Sequence, residues 1–306
     1  MITNKVLKGV FLVSLGATSY GMLATFVKLA YSDVSSQGLH FTPAEVIIAQ
    51  FAIGIMVILA ITVYQRKQKG LHKLTATFGE IKKLMLVGTS TGLTSIFYYL
   101  AVKYIPVSIG IVLLMQTVWM GVLLEMFLEK KLPSKIKIMC VIIVLFGTIL
   151  ATNLLFNTVT LDWRGILLGL LAAASFTTTM YAANKVATKV SAAQRSLFML
   201  LGGAVIVLVF ALLTQKTPFN YDIFYKWGII IAFFGTIIPP LLLNAGFPLT
   251  GIGLGSIVSA IELPVSVIMA FLFLNEKVDV IQWTGIALII AAIILMNISF
   301  NKKSIA

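Results

Sequence analysis

Only 10 Asp and Glu residues occur in 306 positions, and one of them, Glu262, stands well inside the apolar run 251–273. Ionisable groups at such a depth are expensive and mark substrate or ion pathways, so a carboxylate here would attract an ammonium group or exchange a proton. The same residue could serve packing alone, protonated and tied to a carbonyl or polar neighbour. Pro264 follows two residues later; it removes a backbone donor and clashes with the carbonyl of Ala260, which predicts a helix kink at this point. Gln116 lies inside the apolar run 106–127. Its neutral amide suits a carboxylate or amide on a ligand, or an interhelical hydrogen bond. Tyr20, Tyr98, Tyr99, Trp119, Phe176 and Tyr181 also fall inside apolar runs. They would form the wall of a pocket for cations or aromatic amino acids, or pack helices.

The remaining chemistry is sparse. Glu125 falls near the end of its run within reach of Lys130 or Lys131 and reads as a structural pair; Glu45 sits at the start of the run 43–64. Lys28 and Lys185 stand near run ends, from which they can snorkel. The middle of the runs holds no Lys or Arg, which argues against an anionic substrate such as a phosphate ester. Two histidines in polar stretches and a single cysteine, Cys140, exclude a disulfide framework and a thiolate or histidine metal site. There is no phosphate-binding Gly-x-x-x-x-Gly-Lys-Ser/Thr, no Ser/His pair and no pair of carboxylates within the runs. Neither an enzyme nor a cofactor is expected.

The elements that must position these residues span a membrane. The chain is 59% hydrophobic and 11% charged, against about 45–50% and 25% for soluble domains, and its mean hydropathy is +1.04. Runs near the ~20 residues that cross a bilayer occur at about 8–31, 43–64, 83–103, 106–127, 136–153, 164–184, 195–213, 226–245, 251–273 and 281–299. They are apolar on every face, unlike the alternating strands of a barrel. The first run lacks a small-residue cleavage site and reads as a retained helix rather than a signal peptide. With the N-terminus inside, the inner links and tail hold Lys5, Lys8, Arg66, Lys67, Lys69, Lys73, Lys82, Lys83, Lys130, Lys131, Lys135, Lys137, Lys185, Lys189, Arg195, Lys302 and Lys303. Only Lys28, Lys103, Arg164, Lys216, Lys226 and Lys277 fall on the other side. Basic residues favour the cytoplasmic side, so both termini are expected there. This bias accounts for most of the net charge of +13 without nucleic acid. Trp163, Trp227 and Trp283 lie near run ends as interfacial anchors.

The sequence also repeats. Lys8-Gly9-Val10-Phe11-Leu12 opens the first run and Arg164-Gly165-Ile166-Leu167-Leu168 the sixth, and at the same offset Tyr20 falls on Phe176. Phe127-Leu128-Glu129-Lys130-Lys131 matches Phe273-Leu274-Asn275-Glu276-Lys277, which places Gln116 opposite Glu262 and Val118 opposite Pro264. The expected fold is therefore an all-α membrane protein of ten transmembrane helices, built as two five-helix repeats, 1–153 and 154–306. Five is odd, so the two would run in opposite directions. Inverted repeats are a feature of secondary transporters, with the site near the midplane between them. Gly88-x-x-x-Gly92 and Gly251-x-Gly253-x-Gly255 are stretches where helix backbones can approach closely.

This layout resembles the drug/metabolite transporter superfamily in its EamA-type permease branch, over about 8–299. The resemblance rests on Ile261-Glu262-Leu263-Pro264-Val265, Phe273-Leu274-Asn275-Glu276-Lys277 and Trp283-Thr284-Gly285, and on Pro43 with Gln50-Phe51. The chain departs from the family at Val118, where the first repeat lacks the Pro, and at Gln50, where an Arg often precedes the Phe. The resemblance implies a multi-pass protein of the cytoplasmic membrane that moves a small molecule by alternating access. The expected activity is export of a small amphipathic metabolite such as an amino acid. The alternative is transport of organic cations or quaternary amines with Glu262 as counter-charge. Its expected partners are the lipid bilayer, a small-molecule substrate and a coupled proton. The residues expected at the substrate are Glu262, Gln116, Tyr20, Tyr99, Trp119 and Phe176, beside a kink at Pro264.

Overall fold

A computed structural model describes residues 2–36, 38–69, 76–101, 104–105, 107–152, 162–274 and 278–305. His72, Lys73, Lys103 and residues 275–277 lie outside them. The described residues form helices and no strand: α1 (Ile2–Ser32), α2 (Pro43–Lys69), α3 (Phe78–Ala101), α4 (Val107–Leu114), α5 (Thr117–Glu129), α6 (Lys135–Ala151), α7 (Trp163–Lys185), α8 (Ala192–Thr214), α9 (Ile229–Ala232), α10 (Ile238–Thr250), α11 (Ile252–Ser259), α12 (Glu262–Phe273) and α13 (Val280–Ile305). Two π-helical turns, Phe224–Gly228 and Phe233–Ile237, flank α9. Eight helical stretches are long and apolar enough to cross a membrane, α4–α5, Phe224–Thr250 and α11–α12 each counting as one. Val280–Met296 is a shorter apolar helix, and α6 has 17 residues. The chain is a multi-pass membrane protein.

Local chemistry fixes the helix starts. Thr42 and Glu45 form a capping box on α2: Glu45 N donates to Thr42 Oγ1 at 3.2 Å and Thr42 N to Glu45 Oε2 at 2.7 Å. Thr77 and Glu80 do the same for α3, and Asp279 with Gln282 for α13. Ser134, Asp162 and Ser191 cap α6, α7 and α8. Gly251, at φ +78°, makes the turn between α10 and α11, a backbone region that costs other residues more.

Packing follows the small residues. A Cβ on Gly92 would lie 3.1 Å from Cα of Gly203, and Gly88 lies against the backbone of Met199, so the Gly88/Gly92 face lets α3 meet α8 backbone to backbone. α1 packs on α10 and α12, α3 also on α7, and α6 on α13.

Two helices are interrupted in mid-run. The α4–α5 rod breaks at Met115–Gln116 and the α11–α12 rod at Ala260–Ile261. At both breaks the backbone tightens to three-residue bonds, Val118 N to Met115 O and Leu263 N to Ala260 O. The expected kink at Pro264 is thus a break just before it. Val118, opposite Pro264 in the repeat, shows that proline is not required for it. Below the breaks α5 and α11 pack together. Ser256 Oγ donates to Val118 O at 3.2 Å, and a Cβ on Gly121 would come within 2.7 Å of Ser256 Cβ. Above the breaks the rods take different partners: α4 packs on α7 and α12 on α1.

Candidate functional site

The gap above the two breaks is a cavity of about 450 Å³, within the usual range for small-molecule sites. Ile111 and Leu114 of α4 face it from one side, Glu262 and Ser266 of α12 from another. α1 contributes Tyr20, Lys28 and Tyr31, α2 Gln50 and Phe51, α3 Thr91, Tyr98 and Tyr99, and α7 Phe176 and Thr179. Lys28 and Tyr31 near the end of α1, Phe41 of the α1–α2 connection and Pro43 at the start of α2 all line it, so the cavity runs from Glu262 toward that end of the bundle. Among the described lining residues Glu262 is the only carboxylate and Lys28 the only Lys or Arg. Glu262 Oε2 is buried without a hydrogen-bond partner, as are Gln50 Oε1, Thr91 Oγ1 and Tyr31 Oη. Buried polar groups are normally paired, so four unpartnered atoms around one cavity, from α1, α2, α3 and α12, mark a place that a ligand or water would satisfy.

Aromatic rings give the cavity its shape. Tyr20 and Phe176, related by the repeat, meet edge to face with centroids 5.8 Å apart. Tyr99 contacts Tyr31 and Tyr98, both at 6.2 Å. The wall opposite is made by chain punctuation. Pro239 and Pro240 supply no N–H to the carbonyls of Gly235 and Thr236, and the π turn Phe233–Ile237 lies directly before them. It brings Gly235 against the Gln50 amide, and Thr236 Oγ1 donates to Gln50 O at 2.8 Å.

Of the residues expected at the substrate, Glu262, Tyr20, Tyr99 and Phe176 come together around this cavity. Gln116 and Trp119 do not line it. Trp119 Nε1 donates to Gln116 Oε1 at 2.8 Å and Gln116 Nε2 to Val112 O at 3.0 Å, so both polar groups close the α4–α5 break. Tyr181 is likewise not among the lining residues. Gln50, Tyr31 and Thr91 are the polar groups that the sequence reading did not place in the wall. The signal for Gln50 was present, since it fills a position where relatives of the resembled family carry an Arg.

Charges outside the cavity hold the bundle together. Glu125 pairs with Lys137 of α6, not with Lys130 or Lys131, and accepts from Gly253 N at the start of α11 at 3.1 Å. Arg195, expected in a cytoplasmic link, is only 1% exposed within α8. It donates to the carbonyls of Ala182 and Val186, at the C-terminus of α7, at 3.1 and 3.0 Å, and to Asn244 O at 2.6 Å. Asn244 O is free because Pro248, four residues on, has no N–H. Asn244 Nδ2 to Ser196 Oγ and Asn184 Nδ2 to Phe247 O complete a polar lock at the end away from the cavity mouth. At the mouth, Glu45 accepts from Gln215 Nε2 and Asn220 N. Asp33 accepts from Trp227 Nε1 at 2.9 Å and lies 3.6 Å from Lys226. The Trp227 bond, the Val34 amide and Lys226 hold the Asp33 carboxyl below the usual carboxylate range. Asp222 is lowered in the same way by Ser36.

The helical bundle, its two broken rods and the gap between them define a multi-span membrane protein with an internal cavity of small-molecule size. The EamA-like transporter family matches residues 7–153 and again residues 163–298. The chain belongs to that family of transporters, which is not a family of enzymes, and carries its two-repeat layout. A crystal structure described only as that of a protein aligns with 97% of this chain and 98% of its own, at TM-score 0.75 and 15% identity. That likeness concerns the fold. No curated protein matches the chain.

Proposed function

We propose that the chain is a secondary transporter of the cytoplasmic membrane that exports a small amphipathic molecule bearing an ammonium group, by alternating access. Its ten helices form two inverted five-helix repeats, 1–153 and 154–306, with both termini in the cytoplasm. The single observation that carries the substrate reading is the unpartnered Oε2 of Glu262 in an aromatic-walled cavity whose described lining residues include no other acid. Glu262 binds the ammonium group or a coupled proton, and the rings of Tyr20, Tyr99 and Phe176 take the apolar body. Amino acids stay within this reading because Lys28, the one Lys or Arg among the described lining residues, stands toward the cavity mouth. It is two turns of α1 above Tyr20, about 12 Å of rise.

The two broken rods support the alternation. In the state described here α5 and α11 are closed on each other and the cavity lies between α4 and α12. Inversion of the repeats exchanges the two pairs, closing α4 on α12 while α5 parts from α11. The test is counterflow in liposomes containing the purified protein, with labelled amines, amino acids, nucleosides and phosphate esters. Accumulation of amines or amino acids above protein-free liposomes supports the reading. Accumulation of phosphate esters alone, or of nothing, refutes it.

A further inference from the structure

Gln50 is buried to 3% exposure and its side chain is held on several sides. A Cβ on Gly235 would lie 3.1 Å from Gln50 Cδ and 2.9 Å from Leu23 Cδ2, so the amide lies beside α1 at about the level of Leu23. The backbone of Glu262 lies against Gly21, two residues earlier on α1 and about 3 Å lower. The two side chains therefore face one cavity at nearly the same depth, from α2 and α12. Each presents an oxygen without a partner, Gln50 Oε1 and Glu262 Oε2. Both oxygens are acceptors. The other unpartnered atoms of the wall, Tyr31 Oη and Thr91 Oγ1, are hydroxyls that adapt to either role.

A carboxylate offers only acceptors. At this depth it would face two acceptors, Glu262 Oε2 and Gln50 Oε1, and would have to turn the Gln50 amide or draw on the Tyr31 and Thr91 hydroxyls for a donor. Lys28, which could neutralise it, is five residues above Leu23 on α1, about 7.5 Å of rise. A hydroxyl or amide N–H at the same place would satisfy Gln50. The cavity thus asks for two donor groups separated by the width of a small molecule, one of them charged.

We propose that Gln50 is a specificity-determining residue whose amide oxygen takes a second hydrogen-bond donor of the substrate, so that the site selects an amphipathic amino alcohol or amino amide over an amino carboxylate. This rests on the reading of Glu262 as the ammonium site. The proposal sets the substrate class by the pairing of donors with acceptors, and it assigns Gln50 no part in helix packing that an apolar side chain of the same length would lose.

The test uses three probes with one aromatic body: phenethylamine, L-phenylalaninol and L-phenylalanine. Their binding to the full-length purified protein is measured by isothermal titration at neutral pH. The wild type is expected to bind the amino alcohol about threefold to tenfold more tightly than phenethylamine, the worth of one neutral hydrogen bond, and L-phenylalanine least tightly. Gln50→Met, of similar length, should erase the difference in affinity between the amino alcohol and phenethylamine. Gln50→Asn, which withdraws the amide by one methylene, carries the same expectation if the Met variant fails to fold. Equal binding of the two amines to the wild type, an advantage that survives both variants, or tightest binding of L-phenylalanine overturns the role of Gln50. Glu262→Gln separates the two levels of the argument. Loss of both amines in that variant keeps the ammonium reading whatever Gln50 does. Binding that does not depend on Glu262, or no amine binding at all, overturns both.

Discussion

The closed pair of half-helices can be loosened by one atom. Glu125 accepts from Gly253 N at 3.1 Å and pairs with Lys137, so its carboxylate joins α5 to the start of α11 and to α6. The side chains of Lys137 and Glu125 are 12% and 14% exposed, so water screens the pair little. Glu125→Gln keeps the shape and a neutral bond to Gly253 N but removes the charge. Bonds to charged groups contribute about 1.5–3 kcal/mol and neutral ones about 0.5–1.5. The closed state should therefore lose about 1–1.5 kcal/mol, close to a tenfold shift toward separation of α5 from α11. The assay is maleimide labelling in nanodiscs, in a Cys140→Ser background, of a cysteine replacing Ser256, which the closed pair buries completely. Its labelling rate should rise about tenfold in Glu125→Gln. A cysteine replacing Ser266, on the cavity side of the break, should not label faster. An unchanged rate at position 256 in folded protein would refute the idea that Glu125 holds α5 and α11 closed.

Cysteines at Gly121 and Ser256 should cross-link under mild oxidation, since their Cβ positions lie 2.7 Å apart and relaxation of about 1 Å reaches disulfide geometry. Counterflow should stop in the cross-linked protein and return on reduction; full counterflow with a complete cross-link would exclude separation of these helices. The lowered Asp33 carboxyl stabilises the folded loop above its ordinary titration range and loses that effect as pH falls through its folded value. The melting temperature of Asp33→Asn should thus fall below wild type at neutral pH, and the difference should begin to shrink as the pH drops below about 3.9 and vanish below the folded value. A difference independent of pH would mean that the charge of Asp33 is not involved.

Eight of the ten expected membrane-spanning runs, the two-repeat layout and the interior position of Glu262 were legible in the sequence because they rest on local quantities: length of apolar stretch, spacing, and a charge where charges are costly. The repeat register also paired the two rod breaks correctly, since Gln116 and Glu262 both stand beside one. It did not reveal what each break does with its polar residue. Gln116 has Trp119 one turn ahead and a free carbonyl one turn behind, and it satisfies both locally; Glu262 has no such neighbour. Proline at 264 marked a kink in its own helix only, whereas the equivalent break beside Val118 forms without one. Arg195 read as a loop charge because hydropathy counts the cation and not its acceptors. Those acceptors come from the end of α7 and from Asn244, freed by Pro248 more than fifty residues along the chain. Glu125 was paired with the nearest lysines in sequence, while the turn Lys130–Ser134 returns the chain so that Lys137 of α6 reaches it.

The most direct test of the account is counterflow of labelled phenethylamine and L-phenylalaninol in liposomes carrying wild type or Glu262→Gln protein at equal amounts. The account requires amine counterflow by the wild type. It also requires at least a roughly tenfold loss, about 1.4 kcal/mol, in a variant that keeps its melting temperature and membrane insertion. Equal amine counterflow by wild type and Glu262→Gln would contradict it, because the one carboxylate among the described lining residues would then have no part in holding the substrate.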